Sequence, residues 1–245
     1  MQVTSESRAQ ATGRVDHDGV AWLDRILIGV TGIGFVLSLY LAFVYAPTEA
    51  LQGDVQRIFY FHVPIAWLAY LAFFVVFVGS IVYLWKRSEQ WDIIARCSAE
   101  LGVVFTTLVL ITGSLWGRPT WGAWWAWDAR MTSTLILWAV YVVYLMLRAY
   151  STDRARGARY GAVLGIIGFA DVPIVQLSIT WWRTLHPGPV LSLEGGGNLP
   201  PEMLLAMMVS LVTFTLFYVV MMRQRTQVEW LRGEIEALLD DEGRG

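Results

Sequence analysis

His62, in FYFHVPIAW, and His186, in WWRTLHPGP, are two of the three histidines in this 245-residue chain, and each lies close before a proline. Neutral imidazole is a common metal ligand, so the surroundings of each ring decide its use. Pro64 fits the first turn of a helix, where a missing N–H costs nothing, and a positive helix end beside His62 would keep the ring uncharged. Pro187 would hold His186 in extended geometry on a stiffened loop. Singly, each also reads as an interfacial or turn histidine bonded to a carbonyl or to water.

Between them, WGRPTWGAWWAWD places five of the thirteen tryptophans, Trp116, Trp121, Trp124, Trp125 and Trp127, just ahead of Asp128. That is more flat aromatic surface than a membrane anchor needs, and it suits a large, planar, apolar ligand. Haem fits the set: its iron takes axial histidines, its faces take aromatic packing and its propionates take cations. If the segment is helical from Trp121, residues 121, 124, 125 and 128 share one face of a short helix lying along the interface. A plain aromatic belt at the membrane surface is the alternative. Arg118 and Arg130 flank the cluster and can pair with ligand carboxylates, with Asp128 or with lipid phosphate. Asp128 need not touch a ligand; it can orient an indole N–H or a guanidinium instead.

Membrane-spanning helices must position these groups. The chain is 56% hydrophobic and 16% charged with a mean hydropathy of +0.51, too apolar for an ordinary soluble domain. Six stretches, at about 26–45, 63–85, 93–115, 131–150, 159–181 and 203–222, reach the roughly 20 residues needed to cross hydrocarbon. Backbone groups in lipid must bond within their own segment, so the expected fold is an all-α integral membrane protein with six transmembrane helices. It forms one six-span domain over residues 1–245, with polar tails at 1–24 and 223–245 and a Trp-rich interfacial segment, 116–130, in the second outer loop.

Of the 18 basic residues, only Arg57, Arg118, Arg130 and Arg183 fall on one side of this arrangement. The positive-inside rule therefore expects both termini in the cytoplasm and the Trp cluster, His62 and His186 together on the outer face. Cys97, the single cysteine, excludes an intrachain disulfide or a CxxC pair. The absence of GxxxxGK[ST], HExxH, GxSxG and CxxCH excludes ATP hydrolysis by this chain alone and a c-type cytochrome. Asp171, in FADVPIVQ, is expected near the bilayer midplane, either as a functional group or as support for a distortion at Pro173. Val228, Leu231, Ile235 and Leu238 predict a short amphipathic helix in the C-terminal tail.

WGRPTWGAWWAWDARMTS resembles the tryptophan-rich WWD signature of haem-handling proteins in cytochrome c biogenesis. With FHVP, WWRTLHPG and six spans, the chain is identified as similar throughout to the haem exporter protein C family of the system I maturation pathway. That resemblance implies a non-enzymatic protein of the bacterial inner membrane that holds haem b as transferred cargo at the periplasmic face. It implies His62 and His186 as axial iron ligands and the WWD segment as the binding surface. Implied partners are a periplasmic haem chaperone (the E protein), a small single-span D protein and an ABC transporter of A and B subunits. Two alternatives stand beside it: a cytochrome c synthetase, which in larger WWD proteins brings further membrane histidines and an outer domain, and a haem-conducting transporter.

Overall fold

The computed structural model describes residues 17–182, 184–186 and 199–242. Most of the N-terminal tail, Arg183 and the stretch from Pro187 to Asn198 lie outside the described residues. The described chain is almost entirely helical: α1 (His17–Tyr40), α2 (Phe59–Lys86), α3 (Glu89–Trp121), α4 (Ala129–Tyr150), α5 (Arg154–Phe169), α6 (Asp171–Trp181) and α7 (Pro201–Glu242). Six segments are long and apolar enough to cross a membrane, with α5 and α6 together making the fifth.

Local chemistry sets the helix ends. Asp128 caps α4 by accepting from the Met131 N–H at 2.8 Å, and Asp153 caps α5 through the Ala155 and Arg156 N–H groups. Arg87 closes α2 in the left-handed conformation, its N–H bonding Tyr83 O at 2.8 Å. Past Tyr40 the first span continues as a π-helical turn, Leu41–Tyr45. The Arg57 guanidinium reaches back to the Ala42 carbonyl and to Ala46 O at 3.3 Å, supplying donors where regular helix bonding stops.

The central helix is α2, packed against α3, α5 and α7. Phe73 stacks on Tyr141 of α4, centroids 3.8 Å apart, directly over Gly102 of α3. A Cβ at Gly102 would lie 2.5 Å from the Phe73 ring, so only glycine lets α3 approach this closely. On α5, Gly157, Ala158, Gly161, Ala162, Gly165 and Gly168 form one buried face of small residues, the usual device for close helix contact in lipid. A bidentate ion pair, Arg148 to Asp92 at 2.5 and 2.6 Å, ties the end of α4 to the start of α3.

Several boundaries differ from the sequence expectations. The third span does not stop near residue 115: Pro119 stays within α3, which runs on to Trp121. The second span begins before residue 63: a 3-10 turn, Asp54–Ile58, feeds directly into α2, so His62 is the fourth residue of that helix and Pro64 lies inside it rather than in its first turn. The fifth span breaks at Ala170, one residue before Asp171, where Pro173 removes a helical N–H. The expected short C-terminal helix is instead the continuation of α7, whose 42 residues span about 63 Å at 1.5 Å per residue. That is about twice the thickness of a hydrocarbon core. Arg225 bonds Glu100 and Glu229, each at 2.6 Å, and steadies this extension against α3.

Candidate functional site

Thr112, Trp116 and Trp121 share one end of α3, and the two sequence-predicted histidines lean on that end. His62, from α2, packs edge-on to Trp116 with centroids 5.8 Å apart, and its Nδ1 lies 2.8 Å from Thr112 Oγ1. The Thr112 hydroxyl donates to Leu108 O at 2.7 Å, so its oxygen accepts from His62 Nδ1–H. That fixes the tautomer with the lone pair on Nε2. Gly113 provides the room, since a Cβ there would sit 3.3 Å from the imidazole Cε1.

His186 follows α6 and packs edge-on to Trp121 at 5.0 Å. Its Nδ1–H donates to Asp128 Oδ2 at 2.9 Å. Asp128 is the hub of this half of the site. Its Oδ2 also accepts from the Thr184 hydroxyl at 2.6 Å and the Leu185 N–H at 3.3 Å, while Oδ1 caps α4. Burial pushes the Asp128 carboxyl up, but the bonds from Thr184, Met131 and His186 outweigh it and hold the group below its ordinary value. Burial, joined by the charge of Arg130, holds His186 below its own ordinary value against the pull of Asp128. The His186–Asp128 contact is therefore a hydrogen bond from neutral imidazole to carboxylate rather than an ion pair at neutral pH. Among the described residues, neither histidine Nε2 makes a hydrogen bond.

The aromatic segment is divided. Trp116 is tied to the loop between the first and second spans by its Nε1–H bond to Gln52 Oε1 at 2.8 Å, and Trp121 is the last residue of α3. Gly122, at φ 79°, terminates the helix, with its N–H on Arg118 O at 3.1 Å. Residues 123–128 then run without helix, so the expected single ridge of Trp121, Trp124, Trp125 and Asp128 does not form. Trp124 is 58% exposed and Trp127 77% exposed, leaving two indole surfaces uncovered. Trp125 turns inward, edge-on to Trp127 at 5.5 Å. It lines an open apolar groove of about 440 Å³ between α3 and α4, with Leu110, Leu115 and Trp138. Its Nε1 is buried without a partner among the described residues.

The flanking cations differ in attachment. Arg118 bonds Gly122 O at 2.5 Å within its own helix end, whereas Arg130 reaches Gln176 of α6 at 3.3 Å. Asp171 stands apart at the α5–α6 break, its Oδ2 buried without a partner among the described residues. Sequence reasoning missed Thr112, Gly113 and Thr184. A threonine within LVLITG reads as a helix residue bonding its own backbone, which Thr112 also does, and nothing local shows which ring it faces.

Two imidazoles with Nδ1 engaged, beside partly exposed indoles at one end of a bundle with six helices long and apolar enough to cross a membrane, mark the chain as a multi-pass α-helical membrane protein with a histidine- and tryptophan-rich end. The heme exporter protein C family model matches residues 11–239. The heme exporter protein C of Bradyrhizobium diazoefficiens is 37% identical over 212 residues, 86% of this chain and 80% of that protein. That of Haemophilus influenzae is 32% identical over 212 residues, 86% and 83% of the two chains. A ccmC-like mitochondrial cytochrome c biosynthesis protein of Marchantia polymorpha is 35% identical over 171 residues, 70% and 72%. The chain belongs to the heme exporter protein C family, a family of cytochrome c maturation.

Proposed function

We propose that the protein binds haem at the periplasmic face of the bacterial inner membrane and presents it to a periplasmic haem chaperone. The observation that carries this reading is the matched pair of neutral imidazoles, each with its Nδ1 proton committed to an acceptor and its Nε2 lone pair unspent. His62 and His186 are the axial ligands of the iron. Trp116 and Trp121 set the rings, Trp124, Trp125 and Trp127 contact the porphyrin, and Arg118 and Arg130 serve its propionates. Haem b is cargo here, so the site must hold it firmly enough to orient it and loosely enough to give it up.

Outside the ligands, the chain's own residues do simple work. Asp128 and Thr112 keep the lone pairs pointing outward, and the indoles limit water at the iron. Exposed Trp124 and Trp127 are where a partner meets the ligand edge. Both termini lie in the cytoplasm, and a single-span D protein and the A and B transporter subunits complete the assembly. The test is the absorption spectrum of the purified, haem-loaded protein. His62→Ala and His186→Ala should each abolish or greatly weaken the Soret band of bis-histidine haem; an unchanged band in both would sink the ligand assignment.

A further inference from the structure

Unequal partners hold the two imidazoles. His186 donates to a carboxylate oxygen of Asp128 at 2.9 Å, whereas His62 donates to the hydroxyl oxygen of Thr112 at 2.8 Å. Charge-assisted hydrogen bonds are roughly twice as strong as neutral ones. A carboxylate behind an imidazole also raises the basicity of the far nitrogen, and so strengthens its bond to a metal.

The supports differ in rigidity as well. Asp128 is fixed by three donors besides His186: the Met131 and Leu185 N–H groups and the Thr184 hydroxyl. Thr112 has its single hydroxyl proton already committed to Leu108 O, so it accepts from His62 and offers nothing more. Beside the His62 ring lies Gly113, with no side chain to clamp the Cε1 edge.

Resting on the haem-ligand reading above, we infer that Thr112 is a positioning residue whose weak support makes His62 the labile iron ligand, while Asp128 makes His186 the retained one. Haem then leaves from its His62 side: the His62–iron bond opens first, a partner's ligand enters that face, and the iron stays tethered through His186 until exchange is complete. The step is a ligand exchange at iron in which one donor leaves as another enters, and no electron moves.

Carbon monoxide provides the test. Added to the dithionite-reduced, haem-loaded full-length protein, it replaces whichever axial histidine is weaker. Thr112→Val should speed CO binding by up to roughly tenfold, the lower end of what losing a ligand's supporting partner does. Thr112→Ser, which restores the acceptor, should return the wild-type rate. The iron–carbonyl vibrations of the adduct should be unchanged in Thr112→Val, since His62 has already left, and shifted in Asp128→Asn, since His186 remains. The reverse pattern, or a CO rate indifferent to Thr112→Val, overturns the inference. Failure of the ligand reading is distinguishable, because it appears as an unchanged Soret band in both histidine-to-alanine variants.

Discussion

Replacing Asp128 with asparagine changes one atom in size terms and should dismantle half of the site. The carboxylate accepts from Met131 N–H, Thr184 hydroxyl, Leu185 N–H and His186 Nδ1–H. An amide has one oxygen and one donor group, so it cannot serve both sides. If its oxygen keeps the α4 cap, its NH₂ faces three donors, and His186 escapes the clash only by moving its proton to Nε2. That tautomer has no lone pair for iron. If the amide flips instead, His186 is kept but the cap is lost, at about 0.5–2 kcal/mol. Loss of a ligand's supporting partner costs about 10–100-fold in metal affinity, or about 1.4–2.8 kcal/mol. Titration of haemin into detergent-solubilised Asp128→Asn protein, followed at the Soret band, should show a weakening of that size. Binding within twofold of wild type, with the same bis-histidine spectrum, would refute the role assigned to this carboxylate.

Acidification should act through the same pair. His186 has a folded value below its ordinary 6.5, so the unfolded chain takes up this proton first. Its contribution to stability is complete above pH 6.5 and declines as pH falls through the folded value; Asp128, held below 3.8, adds a second loss in stronger acid. Melting temperatures measured against pH should show the first slope in wild type and a shallower one in His186→Asn. At the other end of the bundle, Asp92→Asn leaves Arg148 buried without its counter-charge, and should cost about 3–5 kcal/mol in thermal or denaturant unfolding. The double change Asp92→Leu with Arg148→Met should cost less than the single one. Gly102→Ala drives a methyl into the stacked Phe73–Tyr141 pair and should lower stability by about 1–3 kcal/mol, with the haem spectrum of the loaded protein unmoved.

The six spans were readable because length and hydropathy are sums over many residues, insensitive to local accidents. Their ends were not. Pro64 reads as a helix-start marker, yet it sits inside a continuous helix, as does Pro119. Tertiary packing outweighs the lost hydrogen bond at each, with α2 and α3 packed against one another along much of their length. The Trp-rich segment was visible as composition, and its helical ridge was a reasonable 3.6-residue pattern. Gly122 in a left-handed conformation ends the helix before that pattern can act. Asp128 was legible as a supporting group, although the ring it holds is His186 rather than an indole or guanidinium. Thr112 was illegible in principle, because its role depends on the phase of α3 relative to α2, and no short stretch of sequence encodes that.

That phase has a genetic consequence. Thr112, Gly113, Trp116 and Trp121 are positions along one helix, so the two imidazoles are registered to a common ruler although they come from distant parts of the chain. One inserted or deleted residue between Gly113 and Trp121 would turn everything beyond it by roughly 100° and shift it by about 1.5 Å. His62 would keep its threonine while Trp121 swung away from His186. Point substitutions can disturb the setting of either imidazole alone, but a single-codon change of length in this stretch severs the geometric relation between them.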